Sequence, residues 1–458
     1  MNLRDELIRY DIYPMAFLRG KKKITIEPRQ DKFAFDPNNE YYVETLEVSR
    51  AEGKRYEGSD GCECYNLKPS DNGTLTLEAL FKNEGLYYLS VYQEKGGKMK
   101  ARFWVYALGE DMRGLYPLRG DLHVHTCRSD GYLVPSYVCA KYRAHGYDFM
   151  TVSDHYKYYP SLEARSNYDF ADDYSPLTDL NIVVGEEVQM PLNDIHSINF
   201  GGEYSINALI NEPFRTGNKP RSLYGNEPKQ FETADDFCDM IRKRAKDISG
   251  SLKLESERLG FACAQWIYEQ ERQNNGLLIF AHPYWLCDTM QMSQSYLDYF
   301  YKEGNFDAFE VLGGENYYMH NGFQTSFYYE MKAKGYDYPV VGSTDSHNPL
   351  PEQNRNALIC STIVFSPANT RRDIIDSIKA KRSVAVDTIS TEYRLVGDFR
   401  LVRYASFLME CWFPLHDRVT KTEGELMADY IAGEKSLEST LKSLGGRIPS
   451  MLKKYFEV

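Results

Sequence analysis

Nowhere in this 458-residue chain does an apolar run reach the roughly 18 residues that a helix needs to cross a bilayer, so no membrane span is expected. The opening Met1-Asn2-Leu3-Arg4-Asp5-Glu6 carries acids and lacks the apolar core of a secretory leader. A disulfide framework is missing too. Nine cysteines, an odd number, are scattered without a repeated spacing, which reads as reduced thiols in a cytoplasmic setting. Cys62 and Cys64 form a Cys-x-Cys pair, but no second pair of soft ligands lies near them. Ordinary strand residues are therefore expected there ahead of a structural zinc. Positive charge is in short supply, with 54 Lys and Arg against 66 Asp and Glu, a net charge of −12. Such a surface repels nucleic-acid backbones and anionic membranes, so an anionic substrate must be recruited locally. Bound cations can reverse the field at one place. Repeats and low-complexity tracts are absent as well.

What is present is an ordinary globular composition, 42% apolar and 26% charged, with 37 tyrosines. In the first ~110 residues, a span whose end is set by where the period-2 pattern stops, apolar and polar positions alternate. Leu75, Leu77, Ala79 and Phe81 form one set, Tyr87, Leu89 and Val91 another, and Met99, Ala101, Phe103, Val105 and Ala107 a third. Turns at Asp71-Asn72-Gly73, Asn83-Glu84-Gly85 and Gly96-Gly97 separate them, and an antiparallel β-sandwich over residues 1–114 is expected.

From Leu115 the character changes to short apolar runs, each followed by a loop and then a helical stretch. Strands are expected near Asp121–His125, Phe149–Ser153, Ile182–Glu187, His196–Phe200, Leu277–Ala281, Ala308–Leu312 and Val340–Ser343. Helices are expected over Pro135–His145, Ala234–Lys246 and Glu255–Arg272. Strand–helix alternation of this kind predicts an α/β fold whose parallel strands form a distorted (β/α)7 barrel over residues 115–387. The span Glu203–Gly276 is too long for a simple connection and reads as an insertion over the barrel mouth. A helix over Arg371–Lys381 and a strand over Ser383–Asp387 close the domain, and residues 388–458 read as a helical tail.

The histidines fall where chemistry would put them. Six of nine, His123, His125, His155, His196, His282 and His347, stand at or beside the expected strands, accompanied by Asp121, Asp130, Asp154, Glu186, Glu187 and Asp345. Strand ends of one polarity converge on one face of a barrel. In His123-Val124-His125, residues i and i+2 of an extended chain point the same way and can share one ion; Asp345-Ser346-His347 repeats the device. Mixed imidazole and carboxylate donors suit zinc, manganese or iron better than calcium or magnesium. His145, His320 and His416 lie outside this pattern and read as structural or exposed.

These elements, in order, resemble the motifs of the PHP family, named for polymerase and histidinol phosphatase. The first is similar to Asp121-Leu-His123-Val-His125-Thr-Cys-Arg-Ser-Asp130-Gly131 and the second to Thr151-Val-Ser-Asp154-His155. Gly185-Glu186-Glu187, His196, Phe280-Ala-His282-Pro283 and Gly342-Ser-Thr-Asp345-Ser-His347 follow. The resemblance runs from about Leu118 to Asp387, as the motifs fall.

The resemblance implies two or three divalent ions. One takes His123, His125, Glu187 and Asp345; a second shares Glu187 and adds His196 and His282; a third uses Asp130, His155 and His347. Glu187 is preferred to Glu186 because the family's ligand stands two residues after the glycine. Asp121 and Asp154 are expected to orient ligands. Hydrolysis of a phosphate ester by a metal-bridged hydroxide held by Glu187 and the cluster is the implied chemistry.

Where many relatives carry another acid after the second-motif histidine, this chain has Tyr156-Lys157-Tyr158-Tyr159. Tyr156 and Lys157, with Arg128, are therefore expected substrate contacts. The implied partner is a small phosphorylated molecule, with nucleic acid disfavoured by charge and the oligomeric state left open. An exonuclease, an amidohydrolase-type enzyme and a non-catalytic binding protein are the rival readings.

Overall fold

In the computed structural model the described residues are 3–48, 62–171, 173–217, 219–225, 228–248, 252–286, 292–313, 318–351, 353, 358–389 and 392–458. Parts of two expected segments, 218, 226–227 and 249–251 in the insertion and 390–391 in the tail, lie outside them. The chain divides into two units, one of Met1–Tyr116, Phe399–Val419 and Gly446–Val458, the other of Pro117–Asp398 and Thr420–Gly445.

Period-2 burial builds the first unit. A short helix α1 (Asp5–Arg9) precedes β1 (Tyr10–Tyr13), β2 (Ala16–Leu18), β3 (Gly20–Pro28), β4 (Tyr41–Glu47), β5 (Cys62–Leu67), β6 (Leu75–Phe81), β7 (Gly85–Tyr92) and β8 (Met99–Leu108). In β6, buried Leu75, Leu77, Ala79 and Phe81 alternate strictly with exposed neighbours. The sheet β1-β3-β6 is antiparallel. The larger sheet contains β2-β8-β7-β4-β5, with β2 parallel to β8 and the other pairs antiparallel. Rings cross between the sheets, Phe17 to Phe81 at 4.7 Å and Tyr10 to Phe103 at 5.5 Å between centroids. Cys62 and Cys64 lie in β5 opposite Leu46 and Glu44, as strand residues.

The second unit opens with β9 (Tyr116–Asp121), α2 (Pro135–Ala144), β10 (Phe149–Thr151), α3 (Tyr159–Asn167), β11 (Asn181–Val183), β12 (Gly185–Val188) and β13 (Ser197–Phe200). The insertion follows with α4 (Pro213–Thr216), α5 (Ala234–Ala245) and α6 (Glu255–Asn274). Then come β14 (Leu277–Phe280), α7 (Gln294–Glu303), β15 (Ala308–Leu312), α8 (Tyr318–Ala333), β16 (Val340–Gly342), β17 (Cys360–Ser366), α9 (Arg371–Lys379), β18 (Ser383–Asp387) and β19 (Arg394–Gly397).

The fold is mixed α/β with several sheets, and the expected barrel needs correction. Two sheets form, β11-β10-β9-β17-β18-β19 and β12-β13-β14-β15-β16. The β-bridges between them are isolated ones, Val124 to Ser346 and His155 to Glu187, so no continuous ladder closes a barrel among the described residues. Nor are all strands parallel: β13 runs antiparallel to both β12 and β14, and β18 antiparallel to β17 and β19.

The expected strand Ile182–Glu187 breaks into β11 and β12, which belong to different sheets. Gly185 opens β12 just after the break, where a Cβ would collide with Thr151 Oγ1 and the Asn199 carbonyl, so the close approach leaves no room for a side chain. Between the sheets lie Leu118, Leu122, Phe149, Val183, Ile198, Ile279 and Val341, all fully or almost fully buried, as expected for strands without alternation. The insertion has its own core, in which Ile206, Leu209 and Ile210 pack with Phe237, Ile241, Trp266 and Ile267.

The tail is mostly helical, with α10 (Phe399–Cys411), α11 (Phe413–Ala432), α12 (Glu438–Leu444), α13 (Arg447–Tyr455) and a short β20 (Phe456–Glu457) parallel to β2. Tyr404 and Phe407 pack on Tyr106 of the first unit at 4.9 and 5.5 Å. In the second unit Glu423 accepts hydrogen bonds from Arg143 Nε (2.9 Å), Thr178 Oγ1 (2.6 Å) and the Asp179 amide (2.7 Å). Next to it Gly424 meets the Ala144 backbone so closely that no side chain fits. Among the described residues no helix is long and apolar enough to cross a membrane.

Candidate metal centre

The centre is assembled where the loops leaving β9 and β16 are laced together. Buried Asp121 accepts from the amides of His123 and Thr344, each at 3.1 Å. Beyond it the His125 amide donates to the Ser346 carbonyl (3.0 Å) and the Asp345 amide to the His123 carbonyl (2.9 Å). This extended pairing turns His123 and His125 the same way, with their Nε2 atoms 3.1 Å apart. Asp345 Oδ1 lies 3.1 Å from the first and 3.0 Å from the second.

Glu187 is the hub. Its Oε2 stands 2.8 Å from His155 Nδ1, 3.3 Å from His125 Nε2 and 3.5 Å from His123 Nε2. Its Oε1 stands 2.7 Å from His196 Nδ1 and 3.8 Å from His282 Nε2. His196 begins an antiparallel strand rather than ending a parallel one, and that reversal returns it to the end of the sheet where β12 delivers Glu187. Asp130 Oδ2 lies 3.3 Å from both His155 Nε2 and His347 Nε2, and its Oδ1 3.5 Å from His125 Nδ1.

All nine sequence-predicted metal residues therefore meet, although the sets that could each hold an ion differ in detail from those implied by resemblance. They are His123, His125 and Asp345; His123, Glu187 and His282; and His125, Asp130, His155 and His347. His125 faces two sets, one with each ring nitrogen.

The donors fit a cation. Both Glu187 oxygens are buried and receive no properly directed hydrogen bond, although five imidazoles crowd them. An ionised carboxylate in so dry a place needs positive charge beside it. The Nε2 atoms of His123 and His125 converge beside Asp345 Oδ1, two imidazole nitrogens and a carboxylate oxygen within about 3 Å of one another, a donor set that one cation can share.

The surrounding electrostatics point the same way. Burial pulls His125 down, but the carboxylates of Asp345 and Glu187 beside it outweigh that and lift its pKa to about 9. Burial likewise opposes His155, which Glu187 and Asp130 lift to about 10. His123 and His282 are raised against burial by Asp345, Glu187 and Glu310. Burial would raise Glu187, yet His196, His155 and His123 hold it well below the usual carboxylate range. Asp121 differs: burial pushes it to about 7, with hydrogen bonds from Thr344 and His123 only partly opposing.

The next layer fixes the ring orientations. His347 Nδ1 donates to the Asp345 carbonyl (2.9 Å), which turns its Nε2 toward Asp130. Asp154 accepts from Thr126 N and Oγ1 and from Ser129 N and Oγ, holding the loop that carries Asp130. Glu186 faces away and is satisfied by Ser205, Asn207 and the Ile206 amide at the start of the insertion. Backbone strain accumulates here as well: Asp345 has φ 50° and His282 φ 21°, while Tyr156 beside His155 has φ 62°.

Sequence reasoning missed Glu310. Fully buried in β15, it places Oε2 3.1 Å from His123 Nδ1 and accepts from the His282 amide through Oε1 (3.3 Å). The available signal was a lone acid inside the apolar run Ala308-Phe-Glu-Val-Leu312. Gln189, whose amide lies 2.9 Å from His155 Nδ1, and Trp285, packed against two of the imidazoles, were also missed.

The expected substrate contacts fare unevenly. Arg128 makes a two-pronged pair with Glu163 (2.8 and 2.6 Å) and does not face the cluster's carboxylates. Lys157 Nζ donates to the Phe214 carbonyl (2.5 Å), and the Tyr156 ring meets Phe214 edge-on at 5.2 Å. Of the remaining histidines, His145 is exposed while His320 and His416 are buried.

No family model and no curated protein matches the chain. Similar solved structures include a two-domain protein from Bacteroides vulgatus containing a predicted PHP-like metal-dependent phosphoesterase. It is 15% identical with a TM-score of 0.42, covering 65% of this chain and 71% of that one. A protein from Bifidobacterium adolescentis provisionally described as a metal-dependent phosphoesterase is 17% identical (TM-score 0.31; 50% and 87% covered). Endonuclease Q, solved with a 27-mer duplex bearing an abasic lesion, is 13% identical (TM-score 0.34; 58% and 57% covered). At these scores the functional reading rests on the side chains themselves.

Proposed function

We propose that this chain is a metal-dependent phosphoesterase whose catalytic domain spans residues 115–387, preceded by a β-sandwich domain and followed by a helical extension. The observation that carries the reading is Glu187, a buried carboxylate without directed hydrogen bonds at the meeting point of five imidazoles. His123, His125, Asp345 and Glu187 would hold one ion, Glu187, His196 and His282 a second, and Asp130, His155 and His347 a third. The donors suit zinc, manganese or iron. When bound, such ions supply Lewis acidity and lower the pKa of water from 15.7 to about 7.

The chain's own residues do the rest. Asp121 and Asp154 hold the ligand-bearing loops, and Glu310 keeps the His123 Nδ1 proton so that Nε2 points inward. Asp130, His155, His196 and His347 line the accessible side, where a small phosphorylated substrate would dock. With Arg128 committed to Glu163, Lys157 and Tyr156 remain the contacts proposed at the rim. A reduced, cytoplasmic setting fits the free state of the eight described cysteines.

The test is metal analysis followed by a panel of phosphomonoesters, phosphodiesters and single-stranded DNA. Replacing His123 and His125 together by alanine is expected to abolish turnover with the far-ultraviolet circular dichroism unchanged. Wild-type turnover of the best substrate by that variant would refute the assignment. Preference for DNA with a steep salt dependence would redirect it to a nuclease.

Two further outcomes are expected. Glu310→Ala should weaken metal binding by roughly 10–100-fold, with Glu310→Gln intermediate, as measured by competition with a chelator. Metal binding should also fall as pH falls, because the raised imidazoles must lose protons before they coordinate.

The stability signs follow from the same shifts. A histidine raised from 6.5 to about 9 or 10 stabilises the cation-free fold below pH 6.5, and that contribution is lost as pH rises through the folded value. The cation-free protein should therefore lose thermal stability between pH 7 and about 10, and loaded protein should lose less. Equal slopes with and without metal would contradict the coordination scheme.

A further inference from the structure

The candidate ligands are not equally covered. His123, His125 and Glu187 are 0–1% exposed, whereas His155, His196, His347 and Asp130 keep 21, 26, 27 and 51% of their side-chain surface. A substrate must approach over these four. That approach is bordered by rings. Tyr156 lies 6.4 Å from His155, His155 lies 6.2 Å from His196, and Trp285 lies 6.0 Å from His196 and 5.9 Å from His282. At the Tyr156 end the band continues into Phe214, which is 48% exposed, and the Arg215 guanidinium covers one side of the Tyr156 ring at 4.8 Å.

A hydrophobic ring beside an open, charged cluster is ordinary when it plugs a core. Trp285 and Tyr156 are only half-buried, and neither belongs to the buried clusters of this unit. Tyr156 also holds a left-handed backbone that an L residue adopts only under constraint. Exposed aromatic surface flanking a polar centre is what a planar ligand group covers best, because stacking needs a ring face and tolerates many ring types.

We propose that the phosphate ester bound here carries a planar ring system on its leaving-group side, of the aryl or nucleoside class, and that Trp285 and Tyr156 select it. This rests on the phosphoesterase reading. The ring lies against Trp285 or Tyr156 while the phosphoryl group faces the exposed ligands. Arg128 plays no part, being paired with Glu163.

The loaded full-length protein should be assayed with matched pairs that keep the ester and delete the ring: adenosine 5′-monophosphate against ribose 5-phosphate, and benzyl against ethyl phosphate. The ring-bearing member should be preferred by roughly tenfold or more in kcat/KM. Trp285→Ala should collapse that ratio mainly through KM, Trp285→Phe should retain part of it, and Tyr156→Ala should reduce it. Absence of a preference in the wild type, or equal losses for both members in Trp285→Ala, would overturn the proposal. Calorimetric binding of the non-hydrolysable methylenephosphonate analogues of adenosine monophosphate and ribose phosphate separates the two readings. Ring-dependent binding lost in Trp285→Ala, without turnover of any ester, would uphold the platform and refute the phosphoesterase. No ring dependence in binding or in turnover would refute the platform alone.

Discussion

Glu187→Gln is expected to release the bound cations and to lower phosphoester turnover by about a thousandfold or more. The figure follows from the several kcal/mol of charge stabilisation that metal ions contribute, at 1.36 kcal/mol per factor of ten. The position is singular because one carboxylate approaches His123, His125 and His155 through one oxygen and His196 and His282 through the other. An amide of the same size keeps the packing but removes the charge and turns half the group into a donor facing imidazoles. Metal content by plasma emission and kcat/KM on the best ester report the two consequences separately. Full metal content with unimpaired turnover would remove Glu187 from the centre, and Glu186, whose oxygens are already satisfied, offers no replacement.

The largest effect on stability is expected at Glu423. Arg143 is completely buried and meets Glu423 Oε2 at 2.9 Å through Nε and Asp148 Oδ1 at 3.1 Å through Nη1. Glu423→Ala leaves Asp148 as the one carboxylate hydrogen-bonded to that guanidinium, takes the side-chain acceptor from the Asp179 amide, and opens a cavity beside Gly424. Breaking a buried pair from one side typically costs about 3–5 kcal/mol, and that is the expected loss in denaturant unfolding. The double replacement Arg143→Met with Glu423→Leu should recover much of it, because no uncompensated charge remains. Metal content should be unaffected in both, which distinguishes a scaffold defect from damage to the centre. A Glu423→Ala loss below about 1 kcal/mol would place the pair among ordinary surface ion pairs.

How much of this could be read in advance differs from element to element. The convergence of His123, His125, Asp345 and His347 is legible because i and i+2 spacing on extended chain fixes direction regardless of what the strand pairs with. The alternating strands β6, β7 and β8 are legible for the same reason, since a one-face pattern is a local property.

Sheet membership is not local. Ile182–Glu187 reads as one strand, and only the pairing of its two halves with different neighbours reveals that it serves two sheets. The direction of β13 is hidden as well, because a four-residue buried strand looks alike from either end. β17 is not marked by any motif, since Cys360–Ser366 carries no histidine or acid. Glu310 was hidden by its apolar neighbours, and the pairing of Arg128 with Glu163 depends on α3 coming alongside, which spacing does not encode.

The two single bridges between the sheets have a mechanical meaning. One lies between His123 and His125 on one side and Asp345 and His347 on the other; the second is formed by His155 and Glu187 themselves. At both bridges, candidate ligands from the two halves stand opposite each other. Ions gripped there would act as rivets across both seams, so chelation should loosen the scaffold along those lines before it unfolds, with amide exchange accelerating first at residues 123–125, 153–155 and 344–346.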